Sequence, residues 1–162
     1  MQKTLAMKLL EGRKIKFEVK QYPLELRDAE LIAIEFGVPA GQVYKTLVVP
    51  VPEGSPRNVK DMLVMIPADR QLDLKKLAKA VKVKKLKMAS HADAERITGL
   101  QVGGISALAL LNRGFSIFID TSANDFQEIF VSAGQRGINI LLPVKELIKV
   151  TRARTIDVCQ AE

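Results

Sequence analysis

The sequence has few of the residues on which many catalytic and metal sites depend. Its 162 residues include one cysteine, one histidine and no tryptophan. A single cysteine cannot form an intrachain disulfide, and one histidine with one cysteine cannot supply the ligands of a structural zinc site. Aromatic residues make up only 5% of the chain, which disfavours a platform that stacks many single-stranded bases. The candidate sites must therefore be built from other groups.

Long apolar runs are also missing. No stretch approaches the roughly 18 apolar residues of a membrane span, so we expect a cytoplasmic protein with no membrane partner. Hydrophobic residues nevertheless make up 48% of the chain, enough to bury a core. The length predicts one domain over residues 1–162.

Positive charge is in excess, with 25 Lys and Arg against 18 Asp and Glu, a net charge of +7. The densest cationic region is a predicted helix that begins near Asp73, with its continuation: Lys75, Lys76, Lys79, Lys82, Lys84, Lys85 and Lys87. Such a region is either a solvated helix face or a track for a nucleic-acid backbone.

Short β-branched runs alternate with amphipathic stretches, which predicts an α/β or α+β fold. We expect a helix over 4–11, a second that Asp28 caps and Gly37 closes, a third that starts at Asp73, a fourth that Ser90 caps and that runs through Ile97 to end at Gly99, and a last one over 144–149. Predicted strands cover 15–19, 42–50, 62–67, 116–120, 128–133 and 138–142. The second and third should form a hairpin, as should the last two, and the residues after the final helix read as a short tail.

Nucleophilic catalysis by a Ser-His-Asp or Cys-His arrangement has little support. His91 follows the predicted cap Ser90, where an exposed side chain is expected, and Cys159 has no neighbour in sequence that would lower its pKa. Neither residue indicates a triad.

Two other features can carry chemistry. Gly99, Gly103 and Gly104 lack the spacing of a nucleotide-binding loop, but adjacent backbone amides can hold an oxygen as readily as they can form a plain turn. Lys45 lies in an apolar strand on the face of Val43 and Leu47. Its ammonium either extends past a sheet edge or lies at the floor of a cleft.

Three ordered blocks resemble the YbaK/EbsC family of aminoacyl-tRNA deacylases, relatives of the prolyl-tRNA synthetase editing domain. They are residues 43–48 (VYKTLV), 98–106 (TGLQVGGIS) and 129–137 (IFVSAGQRG). The resemblance implies a mixed β-sheet packed with helices into an α/β domain. It also implies a hydrolase that removes an amino acid from mischarged tRNA(Pro), most often Cys from Cys-tRNA(Pro), without metal or organic cofactor. The acceptor end of mischarged tRNA is the implied partner, with prolyl-tRNA synthetase as a second.

The same resemblance implies the site. Lys45 matches the family's essential strand lysine, and the amides of Gly103 and Gly104 are expected to orient the substrate carbonyl as part of the catalytic group. The implied substrate-binding residues are Tyr22, Thr46, Ser106, Ser132, Gly134 and Arg136.

The sequence departs from the family pattern after Ser106, where Ala107 and Ala109 replace the usual proline and glycine. If that glycine has a positive φ, Ala109 must be strained or must reshape the loop. This departure favours two alternatives: a non-catalytic module that binds tRNA or a synthetase, and a deacylase for another amino acid such as Ala.

Overall fold

A computed structural model describes residues 1–162. The chain contains five α-helices and seven strands, and the strands form two sheets. The helices are α1 (Leu5–Gly12), α2 (Ala29–Phe36), α3 (Leu74–Val81), α4 (His91–Thr98) and α5 (Val144–Thr151). The strands are β1 (Glu18–Gln21), β2 (Tyr44–Val49), β3 (Met62–Pro67), β4 (Ser116–Asp120), β5 (Glu128–Ser132), β6 (Ile138–Pro143) and β7 (Arg154–Ile156). None of the helices has the length and apolar character that a membrane span requires.

Local capping sets the start of most helices, as the sequence predicts. The carboxylate of Asp28 accepts a hydrogen bond from the Glu30 amide at 2.9 Å, and Asp73 accepts from the amides of Lys75 and Lys76. The Ser90 hydroxyl accepts from the amide of Asp93. Each bond satisfies a backbone donor that the first helical turn leaves without a partner.

The mixed sheet expected from sequence has four strands in the order β2-β3-β4-β7, and β2 and β3 form the predicted antiparallel hairpin. β4 runs parallel to β3, and β7 runs parallel to β4. A separate antiparallel sheet, β1-β6-β5, contains the second predicted hairpin, and an isolated parallel bridge between Val43 and Phe130 joins the two sheets. The fold is α/β, as predicted, but with two sheets in place of one.

Two boundaries predicted from the sequence were wrong. The first strand begins at Glu18, since the residues directly after α1 close the end of that helix: Lys14 has a φ of +58° and the Ile15 amide donates to the carbonyl of Leu10. The residues after α5 are not a simple tail: β7 joins the sheet, and Cys159 bridges to Leu72. A three-residue strand carries almost no periodicity, so the sequence offered little signal for it.

The core has three parts that together fix the sheet edge at β2. The largest lies between the two sheets and under α1 and α5, while α3 covers the other face of the four-stranded sheet. Every residue of β3 is buried, because both faces are covered. A small cluster of Ala33, Val43, Ala68 and Phe130 packs α2 against the start of β2. The edge of β2 therefore faces α2 and the segment after α4, and the space between them forms a cavity.

Candidate active site

A cavity of about 200 Å³ lies along β2, which is an edge strand of its sheet. Four segments distant in sequence border it: residues 22–32, β2 with Val43, the turn at 102–105, and the β5–β6 hairpin. Five of the predicted site residues line this cavity: Tyr22, Lys45, Thr46, Gly103 and Ser132. The fold thus brings together side chains that are up to 110 residues apart in the sequence.

Lys45 is half-buried and is the only lysine that borders the cavity. Its Nζ donates a hydrogen bond to the carbonyl of Ala68 at 3.3 Å, and none of the four ion pairs of the protein includes it. An ammonium has three donors, so at least one remains available to a negatively charged oxygen in the cavity. The sequence left open whether the Lys45 ammonium lies at a sheet edge or in a cleft. Both descriptions apply, because the edge strand β2 also lines the cavity.

Thr46 contributes through its backbone as well as its side chain. Val48, two residues further along β2, accepts a hydrogen bond at its carbonyl from the Ala89 amide, on the side of the strand away from β3. Alternate residues of a strand direct their backbone polar groups to the same side, so the N–H and C=O of Thr46 face this edge too. They offer one donor and one acceptor to a substrate beside Lys45.

The two glycines of the predicted carbonyl-binding turn have different roles. Gly103 lines the cavity with a φ of +93°, and its amide makes no backbone hydrogen bond. The amide of Gly104 donates to the Gln101 carbonyl at 2.7 Å, so the expected contact of this amide with a substrate carbonyl would have to share or replace that bond. A Cβ on Gly104 would lie 2.8 Å from the backbone N of Arg136. Gly104 is needed for the close approach of two loops, and Gly103 remains the candidate donor.

Three of the predicted substrate-binding residues, Ser106, Gly134 and Arg136, lie behind or beside the cavity and do not line it. A Cβ on Gly134 would meet the Cβ atoms of Ala109 and Ser106 at 3.3 and 3.9 Å, so these residues pack the two loops together. Arg136 covers Gly103 and donates to the carbonyl of Leu24 at 3.1 Å. We assign these three residues to shaping the turn.

Asn139 is a cavity residue that sequence reasoning missed. It lies in β6 directly opposite Ser132, and both border the cavity. Asn139 is 5% exposed, and its side-chain amide forms no hydrogen bond within the protein. Every fully buried side-chain N or O atom of the protein has a partner, so the unpaired amide atoms of Asn139 are not fully buried. Its amide atoms therefore open onto the cavity. A polar residue within the apolar strand INILLP is the signal that could have identified it.

A second cavity of about 230 Å³ adjoins the first, and Arg136 is part of its lining. The two cavities share five residues: Tyr22, Arg27, Ile32, Val102 and Gly103. His91 and Glu95 of α4 line this outer cavity, and His91 is exposed, as the sequence predicts. The Glu95 carboxylate accepts a hydrogen bond from the Val102 amide at 2.9 Å. Glu95 thereby ties the Gly103 turn to α4.

A buried polar network lies at the same end of the four-stranded sheet. The Tyr44 hydroxyl and the Ser122 hydroxyl are 2.7 Å apart, and Asp120 accepts from the backbone amides of Ser122 and Val158. Burial by itself raises the pKa of Asp120, but hydrogen bonds from Ser122, Val158 and Cys159 outweigh it and hold that pKa below its usual value. Burial raises the pKa of the Tyr44 hydroxyl, and burial with the nearby charge of Asp120 raises the pKa of the Cys159 thiol to about 12. The shifts favour protonated Tyr44 and Cys159 and an ionised Asp120 at neutral pH, and Tyr44 connects this network to the cavity lining.

The loop that departs from the family pattern is not strained. Ala107 has a φ of −61°, Leu108–Leu110 form a short 3-10 helix, and Ala109 is not among the residues with positive φ. The loop reaches Gly134 with ordinary backbone angles. Of the two consequences expected if the family's glycine has a positive φ, strain at Ala109 is absent from the structure.

Comparison with known proteins gives a consistent result. The sequence model of a family described as the aminoacyl-tRNA editing domain matches residues 25–150. A protein of Enterococcus faecalis named as a candidate Cys-tRNA(Pro)/Cys-tRNA(Cys) deacylase, EbsC, is 32% identical over 99% of this chain and 96% of its own. The uncharacterised protein YwhH of Bacillus subtilis is 27% identical over 88% of this chain and 87% of its own.

Among solved structures, a protein described as a candidate trans-editing enzyme for prolyl tRNA synthetase superposes with a TM-score of 0.81. The match covers 97% of this chain and 96% of that one, at 23% identity. It confirms the fold expected from sequence.

Proposed function

Because the chain belongs to the aminoacyl-tRNA editing domain family, we propose that it hydrolyses the ester bond of mischarged tRNA(Pro), with Cys-tRNA(Pro) as substrate. The proposed site is the cavity along β2. The observation that carries this proposal is the meeting of one ammonium, one backbone amide without a partner and two polar side chains around a space of about 200 Å³.

The inventory of groups suits ester cleavage. An aminoacyl ester is already activated, so a site that fixes the acceptor end and stabilises negative charge on the carbonyl oxygen supplies most of what the reaction needs. The lining of the cavity contains no histidine or cysteine, and Arg27 is its second cation. This composition favours a mechanism in which the protein positions the ester and stabilises the negative charge on its carbonyl oxygen. The nucleophile then comes from the substrate or from water.

We assign Lys45 to the negative charge, either on the terminal phosphate of the acceptor end or on the oxygen that develops charge during attack. The amide of Gly103, across the cavity, would orient the carbonyl. Ser132 and Asn139, which face each other across β5 and β6, would contact the aminoacyl group. The Ser132 hydroxyl accepts from the Gly134 amide at 3.1 Å, which leaves its own proton free to donate.

For a cysteinyl substrate the nucleophile is the thiol of the substrate. A bond forms between its sulfur and the carbonyl carbon, the bond from that carbon to the ribose oxygen breaks, and the thiol proton passes to the departing ribose oxygen. The product is a four-membered thiolactone, which water opens to cysteine. This route agrees with the shortage of protein nucleophiles in the cavity.

The small volume of the cavity and the name of the EbsC relative both support a small amino acid as the substrate. Sites that enclose drug-sized ligands span roughly 300–1,000 Å³, so a cavity of about 200 Å³ suits a short side chain. Prolyl-tRNA synthetase is the proposed second partner, in line with the description of the solved structural neighbour.

The decisive experiment measures release of labelled amino acid from Cys-tRNA(Pro), Ala-tRNA(Pro) and Pro-tRNA(Pro) by the wild type and by Lys45→Ala. We expect release from Cys-tRNA(Pro) and a fall in kcat/KM of roughly 10²–10³ in the variant, the size typical for loss of one group that stabilises an oxyanion. Lys75→Ala removes an exposed lysine of α3 and serves as the matched control with unchanged activity.

Other outcomes identify the alternatives. Release from Ala-tRNA(Pro) alone would assign a different substrate to the same site. No release from any of the three, with tRNA binding retained, would refute the hydrolase and favour the non-catalytic binding module.

A further inference from the structure

A groove of about 910 Å³ lies outside the candidate active site and shares no lining residue with its two cavities. It is formed by the end of α1, the segment before β3, the start of β4, the end of α5 and the start of β7. Five cationic residues line it: Arg13, Lys60, Lys149, Arg152 and Arg154. No aspartate or glutamate is part of the lining. The groove therefore concentrates positive charge from segments far apart in the sequence.

These cations have no counter-ions within the protein. None of the five belongs to any of the four ion pairs. Glu146 borders a smaller neighbouring hollow with Arg13 and Lys149 but forms an ion pair with neither. Like charges around one concave surface repel each other and focus the electrostatic field into the groove. An anionic ligand would relieve that repulsion.

The backbone at Arg152 has a conformation that is uncommon for a residue with a side chain. Arg152 ends α5 with a φ of +57°, a conformation that glycine adopts without steric cost. α2 and α4 end in the same region of backbone space with Gly37 and Gly99, and α3 ends there with Lys82, at a φ of +61°. Two helices thus end in a cation where glycine would fit the backbone better, and of these two cations only Arg152 lines the groove.

The register of the sheet relates the groove to the active site. Lys45 is opposite Ile66, and Met62 is opposite Ser116, which lines the groove. Met62 and Ile66 are four positions apart in β3, roughly 13 Å along the strand, and β2 and β4 flank β3 at a mutual distance of roughly 10 Å. Lys45 and Ser116 are therefore roughly 16 Å apart, about five nucleotides at roughly 3.4 Å per stacked nucleotide. A strand whose 3′ end occupies the cavity can therefore bring its preceding phosphates to the groove.

We propose that this cationic groove binds the phosphodiester backbone of the tRNA whose aminoacylated end occupies the cavity. The inference rests on the proposed function, because that function supplies the polyanion. Arginine guanidinium groups bind phosphate oxygens through two parallel hydrogen bonds, and lysines add point charges. The densest cationic region of the sequence, from Lys75 to Lys87, covers α3 and the segment after it, and none of its lysines lines the groove.

The test compares two variants that each lose four positive charges. The groove variant carries Arg13→Gln, Lys60→Gln, Lys149→Gln and Arg152→Gly, and the matched control carries Lys75→Gln, Lys79→Gln, Lys84→Gln and Lys85→Gln. Binding of uncharged tRNA is measured over a series of salt concentrations. We expect the groove variant to lose at least roughly a hundredfold in affinity and about four units of salt slope. The control should lose less than about threefold.

Two further measurements separate this role from a structural one. The urea midpoint of Arg152→Gly alone should equal or exceed that of the wild type, because glycine relieves the positive φ, while tRNA affinity falls. The groove variant should hydrolyse a cysteinyl ester of the trinucleotide CCA at the wild-type rate but show a lower kcat/KM on Cys-tRNA(Pro).

Wild-type affinity in the groove variant, or an equal loss in the α3 control, would overturn the proposal. Because the binding assay uses uncharged tRNA, it gives an answer even if the wild type hydrolyses neither ester. A failure of the proposed hydrolase is therefore distinguishable from a failure of the groove.

Discussion

At the end of the four-stranded sheet where β2 begins, a small cavity lies beside short backbone contacts and a buried polar network, whereas at the end where β4 begins, five cations line an open groove and form no ion pair. The first end holds the cavity, the Gly104 contact and the buried network around Asp120. The second is exposed and concave. Atomic positions at the cavity end are set by short contacts, so a single substitution there should strongly reduce activity or stability. At the groove end, charge acts over longer distances, so each single substitution should reduce tRNA affinity only slightly, and the reductions should add.

The largest effect is expected at Gly104, where two loops approach most closely. Gly104→Ala places a Cβ 2.8 Å from the backbone N of Arg136, so one loop must move and the Gly103 turn must move with it. Deacylation should fall more than about 100-fold, and the free energy of unfolding should fall by about 1–3 kcal/mol. Gly12→Ala is the control, because a Cβ there meets nothing within 4 Å and should leave activity unchanged. Normal activity of Gly104→Ala would show that the loop contact does not set the cavity.

The next effect concerns the buried carboxylate behind the cavity. Asp120→Asn replaces an acceptor of several hydrogen bonds with an amide that must also donate, and it should cost about 2–3 kcal/mol in the free energy of unfolding at pH 7. Because the folded-state pKa of Asp120 is depressed, its contribution is present above the unfolded-state pKa of about 4 and is lost as the pH falls through the folded-state value.

Urea unfolding at a series of pH values from 7 down to 2 tests this expectation. The difference between the wild type and Asp120→Asn should shrink as the pH is lowered, while Asp69→Asn, an exposed aspartate, should differ little from the wild type throughout. A difference that stays constant with pH would mean that the ionised carboxylate is not the source of the stability.

The third effect lies inside the cavity itself. Asn139→Ala removes an amide that the protein does not use for its own hydrogen bonds, so the cost should appear in catalysis and not in folding. We expect kcat/KM on Cys-tRNA(Pro) to fall by about 3–10-fold, the value of one hydrogen bond, with an unchanged urea midpoint. Asn58→Ala, in the exposed loop between β2 and β3, is the control. A lower midpoint with normal kcat/KM would make Asn139 structural.

The two ends also differ in how far the sequence predicts them. The strand that contains Lys45, the helix caps and both hairpins could be predicted, because alternation and capping are local signals. The structure has this strand as β2. The role of Gly104 was not, since it depends on the backbone of Arg136 more than thirty residues away. Asn139 was missed for a similar reason: its meaning comes from Ser132 across the hairpin.

The groove was the hardest feature to foresee. Its cations come from separate segments, and the only dense run in the sequence, from Lys75 to Lys87, lies elsewhere. Tertiary structure, not composition, decides where the field is focused.

The smallest effect is expected for a single groove cation. Lys60→Gln removes one exposed charge that forms no ion pair, so the urea midpoint should not change. Affinity for uncharged tRNA at about 0.1 M salt should fall by about fivefold, and the salt slope should fall by about one unit, the signature of one lost phosphate contact. Lys16→Gln, an exposed lysine before β1, is the control and should change neither value. If Lys60→Gln instead abolished binding, the groove would depend on one defined contact. The two ends of the sheet would then not differ in their sensitivity to a single substitution.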